Sequence, residues 1–332
     1  MQEERFEQSG TKERNLAMEL VRVTEAAALS AGRWMGKGNK EMADQAAVDA
    51  MRQALDGVDM SGVVVIGEGE KDEAPMLYIG EHVGNGTPPD IDVAVDPVEG
   101  TRLLAFGLPG ALAVVATAEH GTMYAAPPGV FYMEKIAVGP AMKDVVDINA
   151  PVAVNLERIA RARDARIDDL AVVVLDRPRH QELIRQIRET GARIRLITDG
   201  DVSAAIQAAM EDYRGLDVLM GTGGATEAVL AAAAIKCIGG EIQCKIWPRN
   251  EQERDQLKAD GVDLDQVFRT DDLVSGQDVC FAATGITGGE LLDGVQYFGW
   301  GARTSSLMMR SRSGTVRYIQ ARHKWRKTTP RK

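Results

Sequence analysis

Apolar residues recur at helical spacing from Leu16 to Met35, with Leu16, Leu20, Val23 and Ala27 on one face, and a second pattern of this kind runs from Asp44 to Leu55. The period then changes. Short apolar runs bounded by glycine, proline and acids predict strands at GVVVIGE from Gly62, DIDVAVD from Asp90, ALAVVATAE from Ala111 and YMEKIAVG from Tyr132. From about Leu170 the two periods alternate: LAVVVLD, ARIRLIT and DVLMGTGG read as strands, with HQELIRQIRETG, DVSAAIQAAME and ATEAVLAAAAIKCIGG as helices. Such alternation predicts a parallel sheet with crossover helices. DVCFAATGIT follows, and ARTSSLMMRS with GTVRYIQAR predicts a closing antiparallel pair. The change of rhythm between residues 150 and 168 divides the chain into an α+β part, 1–165, and an α/β part, 166–332, and no internal repeat replaces this reading.

Charge narrows the function. Lys and Arg number 39 against 49 Asp and Glu, a net −10, yet the tail 321–332, ARHKWRKTTPRK, holds six Lys or Arg and no acid. Without those six positive charges the rest of the chain stands at −16. A body of that sign does not suit nucleic acid, whereas it suits carboxylate cages for divalent cations. The tail reads as a short solvated terminus. The polar start MQEERFEQSGTKERN is no signal peptide, and the longest apolar runs, such as AVLAAAAI from Ala228, are too short to cross a bilayer. Cys237, Cys244 and Cys280 lack CxxC spacing, so they read as small buried apolar residues in a reducing cytoplasm, with no membrane partner expected.

The chemistry gathers at DPVEGT, Asp96 to Thr101. The alternation in DIDVAV puts Asp96 at a strand end, where sheet-borne sites commonly lie. Pro97 breaks the ladder, and Gly100-Thr101 precede an apolar run able to start a helix, whose N-terminus attracts an oxyanion. Asp96 and Glu99 offer hard oxygen ligands of the kind Mg2+ or Mn2+ takes. A phosphate ester suits both halves, and so does an ordinary Asx-type turn with Thr101 as helix N-cap. Glu68 also ends a strand, with Glu70, Asp72 and Glu73 close behind, and Asp44 opens the second helix. Each alone reads as a surface charge or a cap, but together they supply the carboxylates that two-metal phosphate hydrolysis needs. His82, His120, His180 and His323 are scattered without HExxH, and His180 either contacts substrate or caps a helix. GxxxxGK(S/T) is absent and GTGGAT from Gly221 does not fit GxGxxG, so nucleotide-loop readings lose their support.

DPVEGT resembles the signature of the lithium-sensitive, Mg-dependent phosphatases, which include inositol monophosphatases and fructose-1,6-bisphosphatases. WMGKGNKEMADQAAVDAM, VVIGEGEKDEAPMLYIGE, LDRPRH, ITDGDV and GTGGATE, in order, resemble the class II fructose-1,6-bisphosphatases of bacteria more narrowly, over residues 15–323. The resemblance implies a layered αβαβα sugar-phosphatase fold of α/β class. It implies metal-dependent hydrolysis of the 1-phosphate of fructose 1,6-bisphosphate to fructose 6-phosphate and phosphate, with sedoheptulose 1,7-bisphosphate as a second candidate substrate. By the same resemblance Asp44, Glu68, Asp96, Glu99 and Glu227 are ligands of two or more Mn2+ or Mg2+ ions, Thr101 orients the attacking water, and Lys40 and Asp72 support it. Glu99, Gly100, Thr101, Tyr132, Arg177, Pro178, Arg179, Asp199, Gly200, Asp201 and Gly224 line the sugar-phosphate pocket, and a cytoplasmic homo-oligomer, dimer or tetramer, is expected. Arginine forks suit phosphate and aspartates suit sugar hydroxyls. Where the family has Pro-Glu-Gly around its late acid, this chain has Thr226-Glu227-Ala228, which leaves Glu227 open to being the N3 acid of a capped helix. The alternatives are an inositol-monophosphatase-like enzyme and a catalytically silent cation-binding relative.

Overall fold

The computed structural model describes residues 13–69, 76–210 and 215–325. Its elements run α1 (Glu13–Ala31), α2 (Lys40–Leu55), β1 (Ser61–Ile66), β2 (His82–Val83), β3 (Asp90–Glu99), α3 (Thr101–Phe106), β4 (Leu112–Glu119) and β5 (Tyr132–Val138). Then follow α4 (Val152–Ala162), β6 (Ala171–Leu175), α5 (Gln181–Glu189), β7 (Arg193–Ile197), α6 (Asp201–Ala209), β8 (Val218–Gly224), α7 (Ala225–Ile238) and β9 (Glu241–Ile246). The chain closes with α8 (Glu251–Ala259), β10 (Phe268–Arg269), α9 (Thr270–Leu273), β11 (Cys280–Gly285), β12 (Gln296–Phe298), β13 (Gly301–Arg310) and β14 (Thr315–Lys324).

Two sheets stack with helices outside and between them. The first runs β12-β13-β11-β4-β3-β1-β2 with β14 on the far side of β13, and the second runs β10-β9-β5-β8-β6-β7. Strand alternation decides what each face meets. Ile91, Val93 and Val95 of β3 pack with Leu20, Val23 and Met51 of α1 and α2, whereas Ala94 and the matching face of β4 pack with α6 and α7. Outside the second sheet, Val172 and Val174 of β6 meet Leu156 and Ile159 of α4 and Ile184 and Ile187 of α5. The layers are therefore αβαβα, as the resemblance implies. The run AVLAAAAI lies in the centre: Ala228 to Ile235 of α7 are all buried between the sheets. A helix apolar all round belongs inside, and its alanines keep the sheets close.

Several sequence expectations change. α2 opens at Lys40, with Asn39 Oδ1 accepting from Met42 N at 3.0 Å, so Asp44 sits one turn inside rather than at the start. β6 pairs with β7 and β8 in parallel, but β5 lies between β8 and β9 and is antiparallel to both. The sheet is consequently mixed. A cut at residue 165 would part β5 from β8 and β9, and β4 from β11. The closing pair forms as expected, with β13 and β14 antiparallel from Gly301↔Lys324 to Arg310↔Thr315.

Candidate active site

The site lies where β3, the starts of α2, α3, α6 and α7, and the ends of β6 and β8 meet. Asp96 shares the face of Asp92 and Ala94, which the period of two turns toward α7. Pro97 does not end the strand. β1 stops pairing at Ala94, and the β3–β4 register shifts between Asp96 and Glu99, so Pro97 falls in a bulge where no donor is needed toward β1. The bulge re-aims the chain: Asp96 Oδ1 accepts from Val98 N at 3.0 Å, and Glu99 turns toward the start of α6, where Oε1 accepts from Val202 N at 3.1 Å. Gly200 precedes that helix at φ 85°, and a Cβ there would lie 3.2 Å from Glu99 Oε2. Both the positive φ and the nearby carboxylate require glycine.

Thr101 is not a helix cap. The N-cap of α3 is Gly100, without a side-chain bond, and Thr101 Oγ1 lies 3.1 Å from Val98 O and 3.4 Å from Asp44 Oδ1. Glu227 is the N3 residue of α7, folded back over Gly224 so closely that a Cβ at that glycine would collide with it, and Thr226 Oγ1 donates to its Oε2 at 2.8 Å. The two readings of Glu227 coincide in space, since its carboxylate also faces the cavity.

One cavity of about 450 Å³ is lined by Lys40, Asp44, Glu68, Asp96, Gly100, Thr101, Arg177, Asp199 and Glu227 among others. It adjoins one of about 180 Å³ that adds Glu99, Tyr132, Arg179, Gly200, Asp201 and Gly224. One expected residue is not brought in: the exposed Pro178 lines neither cavity and instead opens the short turn Pro178–His180. Asp72 lies outside the described residues. Among the described residues, no three His, Cys, Asp or Glu are already gathered into a metal-holding group. The carboxylates instead line a common wall.

Their mutual effect is repulsive. Burial, then the charges of Glu68, Glu227 and Asp44, raise Asp96 well above the ordinary carboxylate range against one lowering bond from Val98 N. Burial, then Asp96 and Asp201, do the same to Glu99, and burial with Asp44 pushes Glu68 up to about 7. Burial also raises Asp44, which the Thr101 bond partly offsets. Glu99 Oε2 is buried without a hydrogen-bond partner, and a buried carboxylate oxygen in that state is costly. Hard oxygen donors with no acceptor-satisfying partner fit a divalent cation.

The far side of the site is paired. Arg177 Nη2 stands 3.5 Å from Asp199 Oδ1, Arg179 lies over the Tyr132 ring at 5.1 Å, and Asp201 Oδ2 accepts from Lys135 Nζ at 2.7 Å.

A model of the family described as bacterial fructose-1,6-bisphosphatase, glpX-encoded, matches residues 14–323. The chain belongs to this family. The D-fructose 1,6-bisphosphatase class 2/sedoheptulose 1,7-bisphosphatase of Synechococcus sp. (strain JA-3-3Ab) is 47% identical over 333 residues, covering 93% of this chain and 95% of that protein. The protein of the same description in Thermosynechococcus vestitus is 46% identical over 334 residues, with 93% and 95% covered. Among solved structures, the extragenic suppressor protein suhB from Bartonella henselae matches 58% of this chain and 71% of that chain at 15% identity and a TM-score of 0.32, too slight a likeness to bear on function.

In this bisphosphatase-family chain the residue that sequence reasoning missed is Lys135. It is 3% exposed on β5 between Met133 and Ala137, and Gly223 leaves the room in which it meets Asp201. Burial pushes its ammonium down, but Asp201 and then Glu227 more than restore it, so it stays charged. The available signal was a lysine on the apolar face of a predicted strand. His180 takes the N-cap position of α5 without a side-chain cap bond: its ring is 2% exposed, bonded to backbone on each side, and lines neither cavity.

Proposed function

We propose that this chain hydrolyses the 1-phosphate of fructose 1,6-bisphosphate to fructose 6-phosphate and inorganic phosphate, and acts likewise on sedoheptulose 1,7-bisphosphate. The observation that carries this reading is the polarity of one continuous site, acids at one end and arginines with aspartates at the other, in a chain of this family. Asp44, Glu68, Asp96, Glu99 and Glu227 would hold Mg2+ or Mn2+, which supplies charge neutralisation at the phosphate and lowers the pKa of water. Thr101 Oγ1 donates toward Val98 O or Asp44 Oδ1, which leaves its lone pairs to accept from the attacking water and fix its direction. Asp44 then receives a proton through that hydroxyl as the water oxygen bonds to phosphorus and the phosphorus–O1 bond breaks, and the departing O1 takes up a proton from solvent to become the sugar hydroxyl. Lys40 at the rim supplies positive charge to the phosphate's outer oxygens. Arg177 and Arg179 bind the distal phosphate beside Tyr132, while Asp199 and Asp201 accept from sugar hydroxyls. Pro178 fixes the turn between the two arginines, and Gly100, Gly200 and Gly224 let the sugar approach the backbone. The three buried cysteines, unpaired thiols, suit a reducing cytoplasm, and we expect a dimer or tetramer there.

Phosphate release from fructose 1,6-bisphosphate tests this directly. Turnover is expected with Mg2+ or Mn2+ and none after EDTA, because five carboxylates facing a phosphate would repel it. Full turnover in metal-free buffer, or none with either metal, would refute the proposal.

A further inference from the structure

The strands β6 and β8 pair at Val172↔Val218 and Val173↔Leu219 and then diverge. In an open α/β sheet such a split at the strands' carboxyl ends is where a ligand sits. On the β6 side the ladder groups of Thr222 meet side chains from the turn after β6. Its N–H donates to His180 Nε2 at 2.7 Å, and its carbonyl accepts from Arg179 Nε at 3.1 Å and Nη2 at 2.7 Å. The other ring nitrogen, His180 Nδ1, lies 2.7 Å from Leu175 O at the end of β6. A backbone N–H can only donate and a carbonyl only accept, so the ring is neutral, with its proton on Nδ1. The imidazole thus bridges the two diverging strands where their own ladder has ended. Gly221 makes room for it, since a Cβ there would stand 3.1 Å from Nε2.

We propose that His180 is a positioning residue for the distal-phosphate clamp: it fixes the Thr222 peptide, which anchors two nitrogens of Arg179, itself a lining residue of the smaller cavity. His180 itself lines neither cavity. Its contribution is selective, because it acts only on the part of the site that reads the second phosphate. This inference rests on the assignment of Arg179 to that phosphate.

The test compares KM and kcat for fructose 1,6-bisphosphate and fructose 1-phosphate, with saturating Mn2+, in four proteins: native, His180→Asn, His180→Gln and Arg179→Ala. Asn can place a donor near Nδ1 but nothing at Nε2, whereas Gln can reach the Thr222 N–H with an acceptor. His180→Asn is expected to raise KM for the bisphosphate about tenfold, the worth of one lost buried bond, with kcat within about twofold and KM for the monophosphate unchanged. His180→Gln is expected to restore the bisphosphate KM to within about threefold of native. A parallel rise for both substrates, or no restoration by Gln, overturns the positioning role. Should the Asn variant melt below the assay temperature, the Gln variant decides alone, a rise of about tenfold or more counting against it. If Arg179→Ala leaves the bisphosphate KM unchanged, the assignment of Arg179 fails and this inference with it. If Arg179→Ala raises it and His180→Asn does not, the inference alone fails.

Discussion

The two ends of the site are built from similar residues to opposite electrostatic effect. Around Asp201 each buried charge has a partner: Lys135 at 2.7 Å for the aspartate, and Thr222 O under the Arg179 guanidinium. Around Asp96 the charges that act on the carboxyl are other acids, Glu68, Glu227 and Asp44, and one oxygen of Glu99 has no partner. Lys40 and Arg102 stand exposed at the rim. The arginine end is pre-organised by its own ion pairs and bonds. At the acid end, like charges are held together by the rest of the fold, at a cost that a bound cation would offset. Stability lies in one end and affinity for a missing charge in the other.

Removing a charge should therefore have opposite signs in the two places. Lys135→Met leaves Asp201 buried and unpaired, and unfolding by denaturant should show a loss of about 3–5 kcal/mol. A variant as stable as the native protein would mean that the Lys135–Asp201 pair adds nothing to the folded state. Thr101→Ala comes next: kcat should fall about a hundredfold, roughly 2.7 kcal/mol of barrier, with little change in the melt, while Thr101→Ser retains most of the rate. Near-native kcat in well-folded Thr101→Ala would reduce DPVEGT to a structural turn.

The smallest expected effect is a pH dependence at the paired end. Burial, and the nearby charges of Arg179 and Arg177, hold the His180 imidazole below its ordinary 6.5, although the Leu175 carbonyl and Asp201 act the other way. Below pH 6.5 the unfolded chain binds a proton that the folded chain does not, so stability present above that pH declines as pH falls through it. Melts between pH 7 and pH 5 should thus lose more for the native protein than for His180→Gln, and identical slopes would remove His180 as the source.

How much of this was legible in the chain depends on whether the determinant is local. The alternation of DIDVAV set Ile91, Val93 and Val95 apart from Asp96 because period two is a property of the strand itself, although the strand runs on to Glu99 instead of ending at Asp96. The motif order singled out Asp44, Glu68, Glu99 and Glu227, and all four line the two adjoining cavities. The partner of a strand is not a local property. Nothing in YMEKIAVG says that β5 will insert between β8 and β9 from some 80 to 110 residues away, and so the expected all-parallel sheet became mixed. Pro97 was read by its missing N–H as a stop, yet at a position where β1 had already ended no N–H was required. Thr101 had the residue type of a cap, but the left-handed Gly100 took that place and freed the hydroxyl. Lys135 escaped notice, and the strand-bridging bond of His180 was not foreseen, for a related reason: their partners, Asp201 and Thr222, lie 66 and 42 residues away.

The contrast between the two ends is tested most directly by thermal melts of metal-stripped native protein and Asp96→Asn near pH 7.5, each with and without Mn2+. Without metal, Asp96→Asn is expected to melt above the native protein, because one of the repelling acids is gone. Mn2+ at about a hundred times its Kd should then raise the native melt by on the order of 5 °C and the variant's far less. A native melt indifferent to Mn2+, or an Asp96→Asn protein that melts below it in metal-free buffer, would contradict a site poised for cations.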